Sequence, residues 1–313
     1  MAGQGRLPSI APMLATPAQQ LPADDDTWSA EIKWDGIRAL AFVSAGEAVL
    51  RGRDGKDISA TYPEVAADLG AAAGRRSLIL DGEIVAFDGG RPSFSRLQRR
   101  MHVGRPTRVL KTAVPVSYVA FDLMHQAGRS LLRNPYAQRR AMLDALGLDS
   151  GTVSVPPSFP GEARAVIDAS RQLGLEGVML KRLRSYYFPG RRSGSWLKVR
   201  HLLVADVIIG GWLPGTGSRV SVAGSVIVGR PGSAGLDYLG QVGSGLAVDE
   251  LRALTSRLKQ LEQPDSPFAE PLPQAVARRA HWVRPVLNAE VTYGELTPAG
   301  RLRHPVWRGL RPG

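Results

Sequence analysis

The sequence contains no cysteine. Disulfides, thiolate nucleophiles and cysteine-ligated zinc are thereby excluded, and an intracellular setting is permitted without being required. Nor does any window approach the roughly 20 consecutive apolar residues of a membrane-spanning helix. The opening "MAGQGRLPSIAPMLATPAQQLPADDD" has no signal-peptide hydrophobic region and reads as a loose lead-in. Internal repeats and long low-complexity tracts are absent as well. Acidic residues are in deficit: 28 Asp and Glu face 40 Lys and Arg, a formal net charge of +12. Such an excess favours a polyanionic partner, nucleic acid before anionic membrane, because no basic amphipathic anchor helix is evident. An arginine-rich codon composition would produce the same excess.

What is present suits two domains. The chain has 313 residues, 43% of them apolar, enough for more than one packed core. "WSAEIK", "RALAFVS" and "AVLRGR" read as short strands separated by turns. "YPEVAADLGAAAG" reads as a helix stopped by glycine, "SLILDGEIVAFD" as a strand pair or one bent strand, and "VPVSYVAFDLM" as a buried strand. Amphipathic helices follow at "NPYAQRRAMLDALG" and "GEARAVIDASRQLG", then strands at "LEGVMLKR" and "SWLKVR". After His201 the texture changes to short strands with Gly-rich turns and one helix, "DELRALTSRLKQLE". That pattern suits a small barrel such as an OB-fold. The boundary falls near residues 200–204.

One short stretch, "EIKWDGIR", sets a lysine between strand-like residues and an Asp-Gly turn. A lysine becomes a nucleophile only when its neutral amine is accessible, which partial burial and nearby positive charge favour. Lys33 ends an apolar-flanked segment, and Arg38, Lys181, Lys198 and Arg200 are candidate cationic neighbours. An exposed hairpin lysine beside an ordinary turn is the plain alternative. Asp81 and Glu83 lie two apart in an apolar strand and so share a face, where carboxylates need a partner. Glu176 heads one strand and Lys181 ends it, while Trp196, Lys198 and Arg200 alternate onto one face of another. Basic residues and carboxylates carried on strands in this way make a site for a triphosphate and a divalent cation. Buried ion pairing of Glu83 and edge protection by Lys198 are the alternatives.

Taken in order, "KWDGIR", "RGRDG", "LDGEIVAF", "YVAFDLM", "EGVMLKR" and "SWLKVR" resemble the ordered motifs of the covalent nucleotidyltransferases, which comprise ATP-dependent DNA ligases, RNA ligases and capping enzymes. The closing "LTPAGRLRHPVWRGLR" resembles the last motif of ATP-dependent DNA ligases, and the likeness is greatest to the ligase module of bacterial end-joining ligases. The resemblance implies an α+β fold: a nucleotidyltransferase (adenylation) domain of ATP-grasp-like antiparallel sheets with helices over residues 1–201, then a β-barrel OB-fold domain over 202–313. It implies Lys33 as the nucleophile that takes AMP from ATP. Lys181 and Lys198 would be catalytic ligands of the α-phosphate. Arg38 and Glu83 would meet the ribose, Phe121 would stack on adenine, and Glu31 with the backbone of Ile32 would lie at the adenine edge. Arg53 would sense the nick phosphate or the nucleotide, and Glu83 and Glu176 would hold Mg²⁺ or Mn²⁺.

The expected substrate is nicked double-stranded DNA, with end-joining proteins such as Ku or a polymerase module as partners. A monomer in the bacterial cytoplasm, associated with the nucleoid and not with membrane, completes the expectation. Two departures stand out. Arg200 occupies a position where many relatives have lysine, and the chain ends in "LRPG" where an Asp-Lys pair is common. Arg303, Arg308 or Arg311 would then orient pyrophosphate, with Arg303 the ATP contact expected from the second domain.

Overall fold

The computed structural model describes residues 7–217, 220–297 and 299–311; the first six residues of the lead-in and the last two of the chain lie outside them. The chain divides into two units, Met1–His201 and Leu202–Gly313. Among the described residues no helix is long and apolar enough to cross a membrane.

The first unit contains two sheets. Strands β1 (Leu14–Ala18), β2 (Trp28–Ile32), β10 (Phe159–Pro160), β11 (Gly177–Arg182) and β12 (Arg192–Arg200) form one, in the order β1-β12-β11-β2-β10. Its pairs are antiparallel except β1 on β12. Strands β3 (Ile37–Ser44), β4 (Glu47–Gly52), β5 (Leu78–Asp88), β6 (Arg91–Pro92), β7 (Val116–Gln126), β8 (Arg129–Ser130) and β9 (Val153–Ser154) form the other. Its main path is β4-β3-β5-β7-β8. "LILDGEIVAFD" is one strand, bent where its register against β7 shifts at Ile79/Leu80 and again at Asp81/Gly82. The helices are α1 (Pro63–Ala73), α2 (Phe94–Gln98), α3 (Arg108–Ala113), α4 (Tyr136–Asp144) and α5 (Ala163–Gln172).

Alternation along the strands assigns each residue a layer. In the first sheet Trp28, Ala30, Val178, Leu180 and Val199 pack with Val166 and Ile167 of α5. Residues of the opposite parity, Glu31, Lys181, Trp196 and Lys198, turn to the other face. In the second sheet Ala39, Ala41, Leu80 and Ile84 pack with Val65 and Leu69 of α1. Its opposite face supplies Leu40, Ile79 and Phe121, which pack with Met13, Tyr187 and Trp196. That last cluster joins the two sheets face to face. It forms an apolar floor on which the charged residues of both sheets stand.

The second unit is an antiparallel sheet with helices. Its strands are β13 (Leu203–Pro214), β14 (Ala223–Pro231), β15 (Leu236–Val242), β16 (His281–Trp282), β17 (Asn288–Tyr293), β18 (Glu295–Leu296), β19 (Leu302–Arg303) and β20 (Val306–Leu310). The path β15-β14-β13-β17-β20 carries β16 beside β13, while β18 and β19 form a separate hairpin. An OB-fold is itself a partly open barrel, and this open path is of that kind. The helix expected in the sequence is α6 (Val248–Lys259); Leu254 and Leu258 bury its apolar side against Val226, Val228, Val242 and Trp307. A short α7 (Gln274–Ala277) is additional.

Candidate active site

Lys33 stands one residue past β2. Its backbone amide donates to the Gly177 carbonyl at 3.0 Å, which sets it beside the start of β11. Its ammonium is ion-paired with the Glu176 carboxylate, the two side chains being 15% and 21% exposed. Glu176 is shared: Arg200 Nε lies 2.8 Å from its other oxygen. Two glycines permit this meeting. A Cβ on Gly177, at φ +148°, would lie 2.1 Å from the Val199 carbonyl oxygen. A Cβ on Gly36 would lie 2.1 Å from the Ile84 carbonyl oxygen and 3.0 Å from Glu83 Cγ. The Asp35-Gly36 turn therefore needs glycine for close approach to β5, and this approach brings Lys33 to Glu83.

Glu83 is paired in register with Arg38 across β3 and β5. Among the described residues its carboxylate has neither a hydrogen bond nor an ion pair. Burial pushes it up to about 7, against the pull of Arg38 and Lys33. Arg38 itself is committed to Asp81: Nε donates to Oδ1 at 2.5 Å and Nη2 to Oδ2 at 2.6 Å. Burial opposes the Arg38 charge, but Asp81 outweighs it and raises the pKa. The Tyr187 hydroxyl also donates to Asp81, at 2.6 Å, and accepts from the Met13 amide at 2.8 Å. Lys198 completes the open cluster. Burial first, then the Arg200, Lys33 and Arg192 cations, hold its ammonium below the usual lysine range.

A second, closed cluster lies on the same floor. Lys181 is 1% exposed. Its Nζ donates to Glu31 Oε2 at 2.8 Å and to the Phe121 carbonyl at 3.0 Å. The Tyr136 hydroxyl donates to the other Glu31 oxygen. Burial pushes the Lys181 ammonium down, and Glu31 opposes that shift. Phe121, 9% exposed, lies between the two clusters, with the Arg38 guanidinium 4.7 Å and Lys181 Nζ 4.5 Å from its ring centre. Trp196 meets its edge at 6.3 Å.

The structure thus brings together Lys33, Arg38, Glu83, Glu176 and Lys198 as the sequence suggested, with Arg200 beside them. Lys181 stands apart from that open cluster, its ammonium enclosed and bonded to Glu31 and the Phe121 carbonyl. The Ile32 side chain packs toward α5, leaving only its backbone on the Lys33 side. Arg53 is exposed on the turn after β4, and among the described residues no contact joins it to the cluster. Arg303 belongs to the second unit, where it is ion-paired with Glu295.

Three partners were not singled out from the sequence: Tyr136, Tyr187 and Arg139. Arg139 forms a bidentate pair with Asp122, both nitrogens at 2.8 Å, in a fully buried setting. The available signal was Asp122 itself, a carboxylate in an apolar strand that had to find a cation.

No three His, Asp or Glu side chains converge as a metal cage among the described residues. A magnesium-type ion needs only one or two carboxylates when phosphates supply further oxygens. The unpartnered Glu83 and the neighbouring Glu176 fit that role.

Comparison with known proteins shows the family. Residues 12–200 match the family model "ATP dependent DNA ligase domain", and residues 219–313 match "ATP dependent DNA ligase C terminal region". The multifunctional non-homologous end joining DNA repair protein LigD of Mycobacterium tuberculosis is 43% identical over 97% of this chain and 39% of its own length. This chain therefore spans about two fifths of that relative. DNA ligase C1 of Mycolicibacterium smegmatis is 30% identical over 96% of this chain and 90% of its own length. The crystal structure of the ligase domain from M. tuberculosis LigD superposes with a TM-score of 0.58 at 41% identity, covering 97% of this chain and 95% of that one. With both of its units matched in order, the chain belongs to the ATP-dependent DNA ligase family, a nucleotidyltransferase domain followed by the family's C-terminal domain.

Proposed function

We propose that this ATP-dependent DNA ligase seals 5′-phosphate/3′-hydroxyl nicks through AMP carried on Lys33. The carrying observation is the meeting of Lys33 with Glu176 at the junction of β2 and β11, beside Lys198 and Glu83. In the first step the neutral Lys33 amine attacks the α-phosphorus of ATP. A nitrogen–phosphorus bond forms, the α–β phosphoanhydride breaks, pyrophosphate leaves, and the lysine proton passes to solvent or to Glu176. Lys198 and Arg200 stand where cations offset the charge developing on the phosphate oxygens. Glu83, which has no hydrogen bond or ion pair among the described residues, would accept from a ligand hydroxyl or help hold a divalent cation with Glu176. Such a cation, Mg²⁺ or Mn²⁺, would neutralise phosphate charge. AMP then passes to the 5′-phosphate at a nick, and the 3′-hydroxyl displaces it.

Lys181 and Tyr136 fix the buried Glu31 carboxylate at the back of the site, and Lys181 remains our assignment, with Lys198, for the α-phosphate. Phe121 offers the remaining ring surface for the base. Arg53 remains our assignment for the nick phosphate or the nucleotide, and Arg303 for the pyrophosphate end of ATP. The relatives named for end joining support a role at DNA breaks, acting on nicked duplex as a monomer in the cytoplasm at the nucleoid, with Ku or a polymerase module as partner.

The test compares nicked DNA with nicked RNA of the same sequence, using ATP and then GTP. Sealing of nicked DNA with ATP alone is expected. Preferential sealing of RNA, or use of GTP, would reject the assignment.

A further inference from the structure

The segment after β11 is pinned to the first unit at alternate residues. The Ala137 amide donates to the Leu183 carbonyl at 3.0 Å, and the Tyr136 amide to the Ser185 carbonyl at 2.8 Å. The Tyr187 amide donates to the Leu132 carbonyl at 2.9 Å, while its hydroxyl is held by Asp81 and Met13. The Leu14 amide closes the run on the Arg191 carbonyl at 2.8 Å. Ser185 and Tyr187 are buried.

The intervening side chains are exposed. Arg184 is exposed, Tyr186 is 47% exposed and Phe188 is 39% exposed. Arg191 is exposed beyond the following turn. Among the described residues neither Tyr186 nor Phe188 makes a ring contact, and neither the Arg184 nor the Arg191 side chain has a hydrogen-bond or ion-pair partner.

A single exposed aromatic calls for no explanation. Two on one side of an anchored segment, bracketed by unpaired guanidinium groups, are different. Their backbone is fixed before any partner arrives, so little ordering entropy is lost on contact. Rings interleaved with arginine suit a polyanion that also offers apolar surface, as nucleic acid does. An acidic protein surface would satisfy the arginines and leave the rings unmatched.

We propose that the outward face of residues 184–191 is a contact surface for the DNA substrate. Arg184 and Arg191 each neutralise a backbone phosphate, and Tyr186 and Phe188 pack on the sugars or bases between them. The proposal rests on the reading of the chain as a DNA-sealing enzyme. Tyr187 faces inward onto the Asp81–Arg38 pair, whereas Arg184, Tyr186, Phe188 and Arg191 are exposed, so the outward face serves the steps that involve DNA and not the transfer of AMP to Lys33.

The test measures binding of the adenylylated full chain to a nicked duplex across a range of salt concentrations. Each phosphate contact contributes about 0.9 to the slope of log affinity against log salt. The pair Arg184→Ala and Arg191→Ala should reduce that slope by nearly 2. The pair Tyr186→Ala and Phe188→Ala should weaken binding about tenfold at every salt concentration, with the slope unchanged. Both doubles should label with AMP at the wild-type rate when DNA is omitted, which also reports that the fold is intact. Unchanged affinity and slope in both doubles would overturn the proposal. A change of oligomeric state in the aromatic double, with DNA affinity unchanged, would assign the face to a second copy and also overturn it. Failure of the wild type to bind or seal nicked DNA would instead overturn the functional reading, so the two failures are separable.

Discussion

Lys33 and Glu176 are 143 residues apart in sequence and form an ion pair at the junction of β2 and β11. The contact is held by backbone, since the Lys33 amide bonds to the Gly177 carbonyl. Glu176 also binds Arg200, so one carboxylate positions two cations. Lys33 can attack only as the neutral amine, released from this ion pair. Nucleophilic attack therefore requires that Glu176 be drawn elsewhere or take the proton, and phosphates arriving at Lys198 and Arg200 supply the competing charge.

Replacing Glu176 tests this directly. Glu176→Ala should slow self-adenylylation by on the order of 10²-fold, the scale of losing one positioned charged group. Arg200→Lys, which keeps a cation but not the fork, should cost far less. The initial rate of AMP incorporation is the measurement. Equal damage from both changes would show that the guanidinium geometry, not Glu176, organises the cluster.

The Glu83 carboxyl makes a prediction about pH. Its folded-state pKa, pushed up to about 7 by burial, lies above the usual carboxylate range. The folded state then holds a proton that the unfolded chain has released, so stability falls as pH rises through this window. Glu83→Gln removes that dependence. The ligand-free variant should match the wild type in unfolding free energy near pH 5 and exceed it near pH 8, by on the order of 1–3 kcal/mol. A difference that is the same at both pH values would contradict the assignment.

Asp81, itself fully buried, holds Arg38 and Tyr187. Asp81→Ala leaves a guanidinium without its partner and should destabilise the fold by about 3–5 kcal/mol. Tyr187→Phe removes one neutral donor and should cost about 1 kcal/mol. Urea unfolding separates the two. Comparable losses would mean that Arg38 finds another acceptor.

Phe121 packs in the floor and also presents its ring between Arg38 and Lys181. Phe121→Leu keeps most of the volume and removes the aromatic face. Stability should fall by less than about 1.5 kcal/mol. The KM for ATP should rise about tenfold, the scale of one base–aromatic stack. An unchanged KM in a folded protein would make Phe121 a packing residue only.

How far the sequence carried this picture can be seen residue by residue. Lys33, Glu83, Glu176 and Lys198 were legible because strand periodicity assigns each a face and charged residues in apolar strands demand partners. Residues 14–18 were not read as a strand, since β1 gains its place only by pairing parallel with β12. Lys181 shows the limit of periodicity. The period of two puts it on the same face as Lys198, but neighbours on that face come from other strands. Glu31 is 150 residues away and Tyr136 approaches from a helix. Asp81 and Glu83 illustrate the same point: both lie on one face of β5, yet only Asp81 captures Arg38 and Tyr187. The need for Gly36 was visible, but its cause, the nearness of the Ile84 carbonyl, belongs to the assembled sheet.

The central claim is that AMP is carried on Lys33, and peptide mapping after incubation with α-labelled ATP and a divalent cation tests it most directly. Label should appear on the peptide containing Lys33 and be absent from Lys33→Ala. It should also be absent from Lys33→Arg, whose guanidinium keeps the charge but is not a usable nucleophile. Label on another residue, or incorporation that persists in Lys33→Ala, would contradict the account.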